Sequence, residues 1–210
     1  MLRTHKISLA MLALVGATAA AQSTARIAVS PESKLWIEGT STIHDWTCKA
    51  TAIDAAIDVD PAAVQLAAAP PKMLKKVLVK VPVKALKCGH GGMDENMYKA
   101  LKADSDPQIS YILASFEPAN EEATEFTLKT VGTLTIAGKE NKLEMDVAAV
   151  RLPDGTVKAT GTVPIKMTDF GIKPPTAIFG RIKAGDDVKV KFELSVGAKA
   201  MAALTENNNK

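Results

Sequence analysis

Apolar and polar residues alternate with a period of two along most of the chain, and this pattern predicts β-strands. Because neighbouring side chains of a strand point to opposite faces, such alternation is typical of antiparallel strands with one buried and one wetted face. The clearest runs are 77–84, 142–149, 157–167 and 188–196. Four further segments bring the prediction to about eight strands: 34–40, 45–59, 108–116 and 126–136.

Turn-forming residues separate these runs. Ala137-Gly138-Lys139 and Pro153-Asp154-Gly155 are predicted to join neighbouring strands, and Gly185-Asp186-Asp187 is predicted to precede the last strand. Eight short antiparallel strands are typical of a two-sheet sandwich or of a closed barrel, and the periodicity does not separate the two. A barrel of about eight strands is among the smallest that hold a ligand in addition to their own side chains.

One segment departs from the period of two and is predicted to form an α-helix. Met93, Met97 and Leu101 recur at helical spacing, and Asp106-Pro107 ends the segment. These side chains are expected either to cover the mouth of a ligand site, since methionine adapts to irregular apolar shapes, or to pack on the sheet as a plug.

The first 21 residues are predicted to be a cleaved secretory signal peptide. Arg3 and Lys6 supply positive charge, an apolar run follows, and small residues ending at Ala21 form an A-x-A type cleavage site. A membrane anchor is the alternative, but the apolar run from 7 to 21 is short for a span. We therefore expect a periplasmic or secreted protein with a domain at 22–200 and a frayed polar tail at 201–210.

Composition excludes several classes of function. The chain is 47% hydrophobic and 23% charged, with 26 Lys and Arg against 23 Asp and Glu. Without Arg3 and Lys6 it is almost neutral, so it lacks the electrostatic footprint of a nucleic-acid-binding protein. No second apolar stretch of spanning length follows the first, so we expect no integral membrane segment in the mature chain.

The sequence shows no pattern of catalytic residues. It lacks the G-x-S-x-G nucleophile motif and the H-E-x-x-H zinc motif. Asp169-Phe170-Gly171 spells a kinase tripeptide, but the other kinase elements are missing and the tripeptide is interpreted as a strand end with a turn. We therefore expect neither enzymatic activity nor a cofactor.

Cys48 and Cys88 are the only cysteines of the chain. An even pair in a chain predicted to be exported favours a disulfide bond. Closure of a loop of about 40 residues would stabilise the fold by roughly 4 kcal/mol at most. The alternatives are free thiols and a metal- or redox-responsive site in which His44 and His90 join the two cysteines as tetrahedral ligands.

Four stretches in the expected order resemble the YceI-like family of exported lipid-binding proteins. They are the segment 35–46 with its G-T-S-T-I-H-D-W motif, the helix with P-Q-I-S-Y after it, the V-G-T-L-T-I-A-G hairpin at 131–138, and the closing segments 167–172 and 185–190. The match covers roughly 34–196. The stretch from His44 to Cys48 departs from the plain aromatic strand of many members and indicates a Cys-bearing subgroup, which leaves the identity of the ligand open.

The resemblance implies an all-β fold, a lipocalin-like antiparallel β-barrel with a helix beside it. It also implies a tunnel that binds a polyisoprenoid or a similar long-chain amphiphile without catalysis. The inward side chains of the predicted strands are mostly small or medium in size, so we expect an axial void and not a barrel filled by its own side chains. The oligomeric state stays open between monomer and homodimer. Twelve side chains are expected to contact the ligand: Trp46, Val77, Val79, Val81, Met93, Met97, Leu101, Met145, Val147, Val163, Val190 and Phe192.

Overall fold

Antiparallel strands dominate the computed structural model, which describes residues 24–60, 62–63, 70–121 and 124–197. The predicted signal peptide and polar tail lie outside these residues. The strands are β1 (Ala25–Ala28), β2 (Lys34–Ser41), β3 (Trp46–Ala50), β4 (Asp54–Val59), β5 (Leu74–Pro82), β6 (Leu86–Lys87), β7 (Gln108–Glu121), β8 (Glu125–Ile136), β9 (Lys139–Arg151), β10 (Val157–Lys166), β11 (Thr176–Ala177) and β12 (Ile182–Val196).

These strands form one sheet, which curls into a half-barrel. Its strand order is β1-β4-β5-β7-β8-β9-β10-β12-β2-β3-β6, and β11 pairs with β12 beside this path. Within the described residues, eight strands are six or more residues long and four are shorter. The predicted all-β antiparallel barrel class of about eight main strands is confirmed.

Short hairpins join the longest strands where the sequence predicts turns. Ala137 and Gly138 connect β8 to β9 with φ angles of 50° and 77°, and Gly155 has φ 83° between β9 and β10. Positive φ at both central residues is the geometry of the two-residue hairpins whose twist matches that of the flanking strands. A Cβ on Gly138 would lie 2.8 Å from Oδ1 of Asp106, so this turn also needs the absence of a side chain.

Two details of the strand prediction are wrong. The segment 45–59 is two strands, because β3 pairs with β2 whereas β4 pairs with β1 and β5, so the chain changes partners at 51–53. The turn predicted at Gly185-Asp186-Asp187 is instead an irregularity inside β12, where the register to β2 shifts between Ala184 and Val188. There the Asp186 carboxylate accepts hydrogen bonds from the backbone N–H and the hydroxyl of Thr168.

The predicted helix is present as α2 (Gly91–Ala100), after a four-residue helix α1 (Pro70–Met73). Asp94 in its first turn accepts a 2.7 Å hydrogen bond from the backbone N–H of Cys88, the residue that leads into the helix. Lys102, just beyond its end, has φ 54° and reverses the chain toward β7. No helix among the described residues has the length and apolar character needed to cross a membrane.

The tightly packed core lies toward the two ends of the half-barrel. On β8, Phe126 and Leu128 belong to a cluster at the start of the strand, and Leu134 and Ile136 belong to another at its end. A further cluster joins Ile27 of β1 to the short helix α1 and the last residues of β12. The middle of the inner face is therefore flanked by packed clusters without belonging to one.

Candidate functional site

A cavity of about 710 Å³ lies on the inner face of the sheet, with α2 on one side. All twelve described strands contribute lining residues to it. No Lys, Arg, Asp or Glu among the described residues lines it. Its volume is within the range of roughly 300–1,000 Å³ that is usual for small-molecule sites. The non-cysteine polar side chains in the wall are few: Ser41, His44, Asn96, Tyr111, Thr130 and Thr176.

All twelve side chains that the sequence singles out for ligand contact line this cavity. Nine come from strands, and Met93, Met97 and Leu101 come from α2 and the residue that follows it. The structure therefore brings the predicted set together. Whether these side chains touch a ligand stays a prediction.

The inward side chains in the middle of the strands have room beside them. Val77 and Val79 of β5 and Val190 and Phe192 of β12 line the cavity, yet each is only half-buried. In a filled barrel these positions would be close-packed by their neighbours. Their outward neighbour Lys189 is exposed, as the alternation requires.

The cavity reaches solvent at one end. Five lining residues are exposed, and we call them the mouth: Ile43, His44, Gly92, Asn96 and Thr176. They come from the loop between β2 and β3, from α2, and from β11. The polar lining is thus concentrated at the mouth, whereas the depth of the cavity is almost wholly apolar.

Three glycines give aromatic rings room on or beside the inner face. A Cβ on Gly39 would collide with the ring of Trp46, and one on Gly132 with the ring of Tyr111. A Cβ on Gly161 would collide with the ring of Phe192, its direct partner across β10 and β12. Each ring occupies the place that a side chain on the glycine would take, an arrangement also used to fill the space over glycines in designed β-sheets.

Tyr111 is the unusual polar residue of the wall. Its hydroxyl is shielded from solvent and has no hydrogen-bond partner among the described residues. This burial raises the pKa of the Tyr111 phenol, and the nearby Thr130 hydroxyl opposes the shift. Thr130 itself donates to the backbone oxygen of Met145 at 2.9 Å. A buried hydroxyl without a hydrogen-bond partner lowers the stability of a fold, so we expect Tyr111 to contribute its ring and not its hydroxyl to the wall.

A disulfide links Cys48 of β3 to Cys88, in the segment just before α2, and so fixes the start of this helix to the sheet. The predicted pairing is confirmed, with an S–S distance of 1.96 Å, and no free cysteine occurs in the described part of the chain. Tyr98 holds the same helix by donating to the backbone oxygen of Leu86 at 2.8 Å. The helix that carries Met93 and Met97 is therefore attached to the sheet at two points.

The alternative metal site is not favoured. Both cysteines are consumed by the disulfide, and no group of three or more potential metal ligands occurs among the described residues. Nδ1 of His44 lies 2.8 Å from the backbone oxygen of Asp45, and His90 is the residue immediately before α2, whose side chain makes no capping hydrogen bond.

Sequence reasoning missed part of the wall. Leu35 and Ile37 of β2 and Ile109 and Leu113 of β7 also line the cavity. Their alternation with outward residues was visible in the sequence and would have identified them. No periodic signal marks Ile43, because it lies in a loop.

Comparisons with known proteins agree with this architecture. The model of the YceI-like domain matches residues 18–196. No curated protein matches the chain. The BcnA crystal structure from Burkholderia cenocepacia has a TM-score of 0.62 and 19% identity, covering 79% of this chain and 96% of its own.

Two further solved structures have the same fold. A polyisoprenoid binding domain from Saccharophagus degradans, implicated in plant cell wall breakdown, has a TM-score of 0.60 and 13% identity, covering 84% of this chain and 99% of its own. The YCEI protein of Campylobacter jejuni has a TM-score of 0.54 and 21% identity, covering 71% and 83%. At these identities the structures establish the fold alone, whereas the domain match spans most of the sequence. The chain therefore belongs to the YceI-like family.

Proposed function

We propose that this protein is an exported, non-catalytic binding protein that holds a polyisoprenoid or a similar long-chain amphiphile in the cavity. The observation that carries the proposal is a cavity of about 710 Å³ whose wall is apolar in its depth and contains no charged side chain among the described residues. The structural similarity to a domain described as polyisoprenoid binding supports the same class of ligand.

The size of the cavity argues for an occupant. Without an occupant, the apolar side chains along the depth of the cavity would lack packing partners. Water that enters through the mouth compensates for little of this loss, because an apolar wall offers few hydrogen-bond partners. A long apolar chain satisfies the wall without that penalty.

The distribution of polar groups favours an amphiphile over a plain hydrocarbon. Ser41, His44, Asn96 and Thr176 lie at or beside the mouth, whereas the walls behind them consist mainly of Val, Leu, Ile, Met and Phe. A polar head at the mouth keeps its hydrogen bonds to these groups and to water, while the tail is desolvated. Fit and desolvation, more than contact area, then determine which lipid binds.

Two features support the remaining parts of the proposal. The Cys48–Cys88 disulfide is consistent with an oxidising compartment outside the cytoplasm. In the described residues, the cavity wall has no charged acid–base pair and no ligand set for a metal. Binding without catalysis is the function that this wall suits best.

Mass spectrometry of organic extracts, combined with thermal unfolding, tests the proposal. We expect a prenyl or long acyl species in extracts of the purified protein, and a higher melting temperature with a long prenyl-chain lipid than after delipidation. A short-chain analogue with the same head group is the control, because it leaves the depth of the cavity empty. A melting temperature that no long-chain lipid changes, in a protein whose extracts contain none, would refute the proposal.

A further inference from the structure

The hairpin between β11 and β12 carries an apolar tip that the ligand cavity does not explain. Phe179 is fully exposed at 108%, and Ile178 beside it is 59% exposed. Neither side chain lines the cavity or belongs to a core cluster. We call these two residues the tip.

The backbone holds the tip outward at an energetic cost. Ile178 and Phe179 have φ angles of 49° and 51°, and the backbone N–H of Gly180 donates to the oxygen of Ala177 at 3.1 Å. Turns with two positive φ values favour Asn and Gly, and a β-branched residue such as Ile is a rare occupant. Neither the local fold nor core packing accounts for apolar side chains here, which points to a role on the surface.

The tip stands beside the mouth. Ala177 and Ile182, which flank the turn, both line the cavity. The loop that carries Ile43 is joined to the same hairpin, because the backbone N–H of Thr42 donates to the oxygen of Lys183 at 3.0 Å. Ile43, a mouth residue, is itself 61% exposed. The exposed apolar side chains thus form a rim where a ligand must enter.

Two exposed cations flank this rim. Arg181 and Lys183 lie shortly after the tip in the same hairpin, and neither has a carboxylate within ion-pair distance among the described residues. The next carboxylates along β12 are engaged elsewhere, since Asp186 binds Thr168 and Asp187 binds Lys166. The loop between β2 and β3, which carries Ile43, contributes one exposed carboxylate, that of Asp45.

We propose that the tip docks this protein onto the surface of an anionic lipid bilayer, with the mouth facing the lipid. An aromatic and an aliphatic side chain with cations beside them match the membrane interface, where apolar groups insert and basic groups meet lipid phosphates. The inference rests on the proposed function, because a bilayer is the natural source or destination of a long-chain amphiphile.

The size of the rim favours a bilayer over a protein partner. A stable protein interface buries about 800 Å² on each side and centres on a packed cluster. Three exposed apolar side chains on two turns provide much less contact area. The tip also projects from the protein, whereas a protein interface needs a broad surface. Shallow insertion into lipid requires no complementary pocket.

Vesicle sedimentation with a turn-compatible variant tests the proposal. The double variant Ile178→Asn, Phe179→Gly removes the apolar tip but supplies residues that favour the same positive φ angles, so we expect an unchanged or higher melting temperature. Vesicles of phosphatidylethanolamine and phosphatidylglycerol in a 3:1 ratio should bind the double variant at least about tenfold more weakly than the original protein. Ile112→Asn is the matched control: Ile112 is 45% exposed on β7, does not line the cavity, and its loss should leave binding unchanged.

The charges are tested separately. Arg181→Gln with Lys183→Gln should reduce the dependence of binding on phosphatidylglycerol content and on salt. The proposal is overturned if the original protein does not sediment with the anionic vesicles, if the tip variant binds as well as the original, or if Ile112→Asn loses binding equally. A tip-dependent dimer in sedimentation velocity without vesicle binding would also overturn it, in favour of a contact between two copies.

Organic extracts of the same preparations separate this proposal from the proposed function. Lipid in the extract without vesicle binding overturns docking and leaves the cavity ligand in place. Vesicle binding without any extractable lipid supports docking and counts against the cavity ligand.

Discussion

Replacing Val190 by Asp tests whether the cavity holds an apolar chain. Val190 lies in the middle of β12, paired with Val163 on one side and Ile37 on the other, and all three side chains line the cavity. It is half-buried. A carboxylate here would point into the space that the proposal assigns to lipid.

The expected effect differs between the empty and the loaded protein. In the empty protein the mouth admits water, so the new carboxylate keeps much of its hydration. We therefore expect only a modest change in the free energy of unfolding of the empty protein. In the loaded protein the same carboxylate is desolvated without a partner, because no charged residue of the described chain lines the wall. An unpaired buried ion costs several kcal/mol. At about 1.4 kcal/mol per factor of ten, a cost of roughly 3 kcal/mol weakens lipid binding by about 100-fold.

Binding of a fluorescent long prenyl-chain lipid, measured as a function of pH, checks this reasoning. Desolvation by the lipid raises the pKa of the introduced carboxyl above its ordinary value of about 3.9. The loaded state then binds a proton more readily than the empty state, so binding to Val190→Asp should strengthen as the pH falls. The unmodified protein should not show this recovery.

Lys189→Glu is the matched control. Lys189 is the adjacent residue of β12, exposed on the outer face, so its replacement should leave lipid affinity within a factor of about two. Equal losses of affinity in the two variants would show that the assignment of inner and outer faces is wrong. Full affinity of Val190→Asp at pH 8 would show that the lipid does not occupy this cavity.

Three further predictions concern single features of the wall. Tyr111→Phe should leave the free energy of unfolding unchanged or raise it by up to about 1 kcal/mol in urea denaturation, because it removes a buried hydroxyl without a partner. A decrease of about 1 kcal/mol would reveal a hydrogen bond to that hydroxyl. Gly161→Val should push the ring of Phe192 into the cavity and weaken binding of long chains more than that of short ones in the same fluorescence assay, and an equal effect on both would contradict this. Thiol labelling under denaturing, non-reducing conditions should find no free thiol, and two labelled thiols would contradict the disulfide bond. Replacing Cys48 and Cys88 together by Ala should lower the free energy of unfolding by about 2–4 kcal/mol.

The sequence predicted the main strands because the inner and outer faces of the sheet differ so clearly in polarity. Along β12, Val188, Val190 and Phe192 face the cavity while Lys189 and Glu193 are exposed. A slip of one residue would bury the charged side chains, so the alternation alone fixes which face is inward. Nine of the twelve residues expected to contact the ligand lie on strands of this sheet and line the cavity, and the other three come from the helix and the residue after it.

Features that depend on contacts between distant segments were not predictable in this way. The break between β3 and β4 has no local signal, because it arises where the chain exchanges one neighbouring strand for another. The residues around Gly185 predict a turn in the sequence. In the structure they lie within β12, because the strand pairs with β2 on both sides of the irregularity. The exposed tip at Ile178 and Phe179 even contradicts local turn preferences, which is a reason to interpret it as functional.

The volume of the cavity depends on residue pairs that no one-dimensional pattern contains. Gly161 looks like a weak point of β10 in the sequence, since glycine is unfavourable in a strand interior. In the structure it lies opposite Phe192, whose ring fills the place of its missing side chain. The ring thereby occupies space that a side chain at position 161 would take. A larger residue at 161 that turned the ring inward would shorten the chain that fits, so we expect Gly161 to influence the length of the ligand although it does not itself line the cavity.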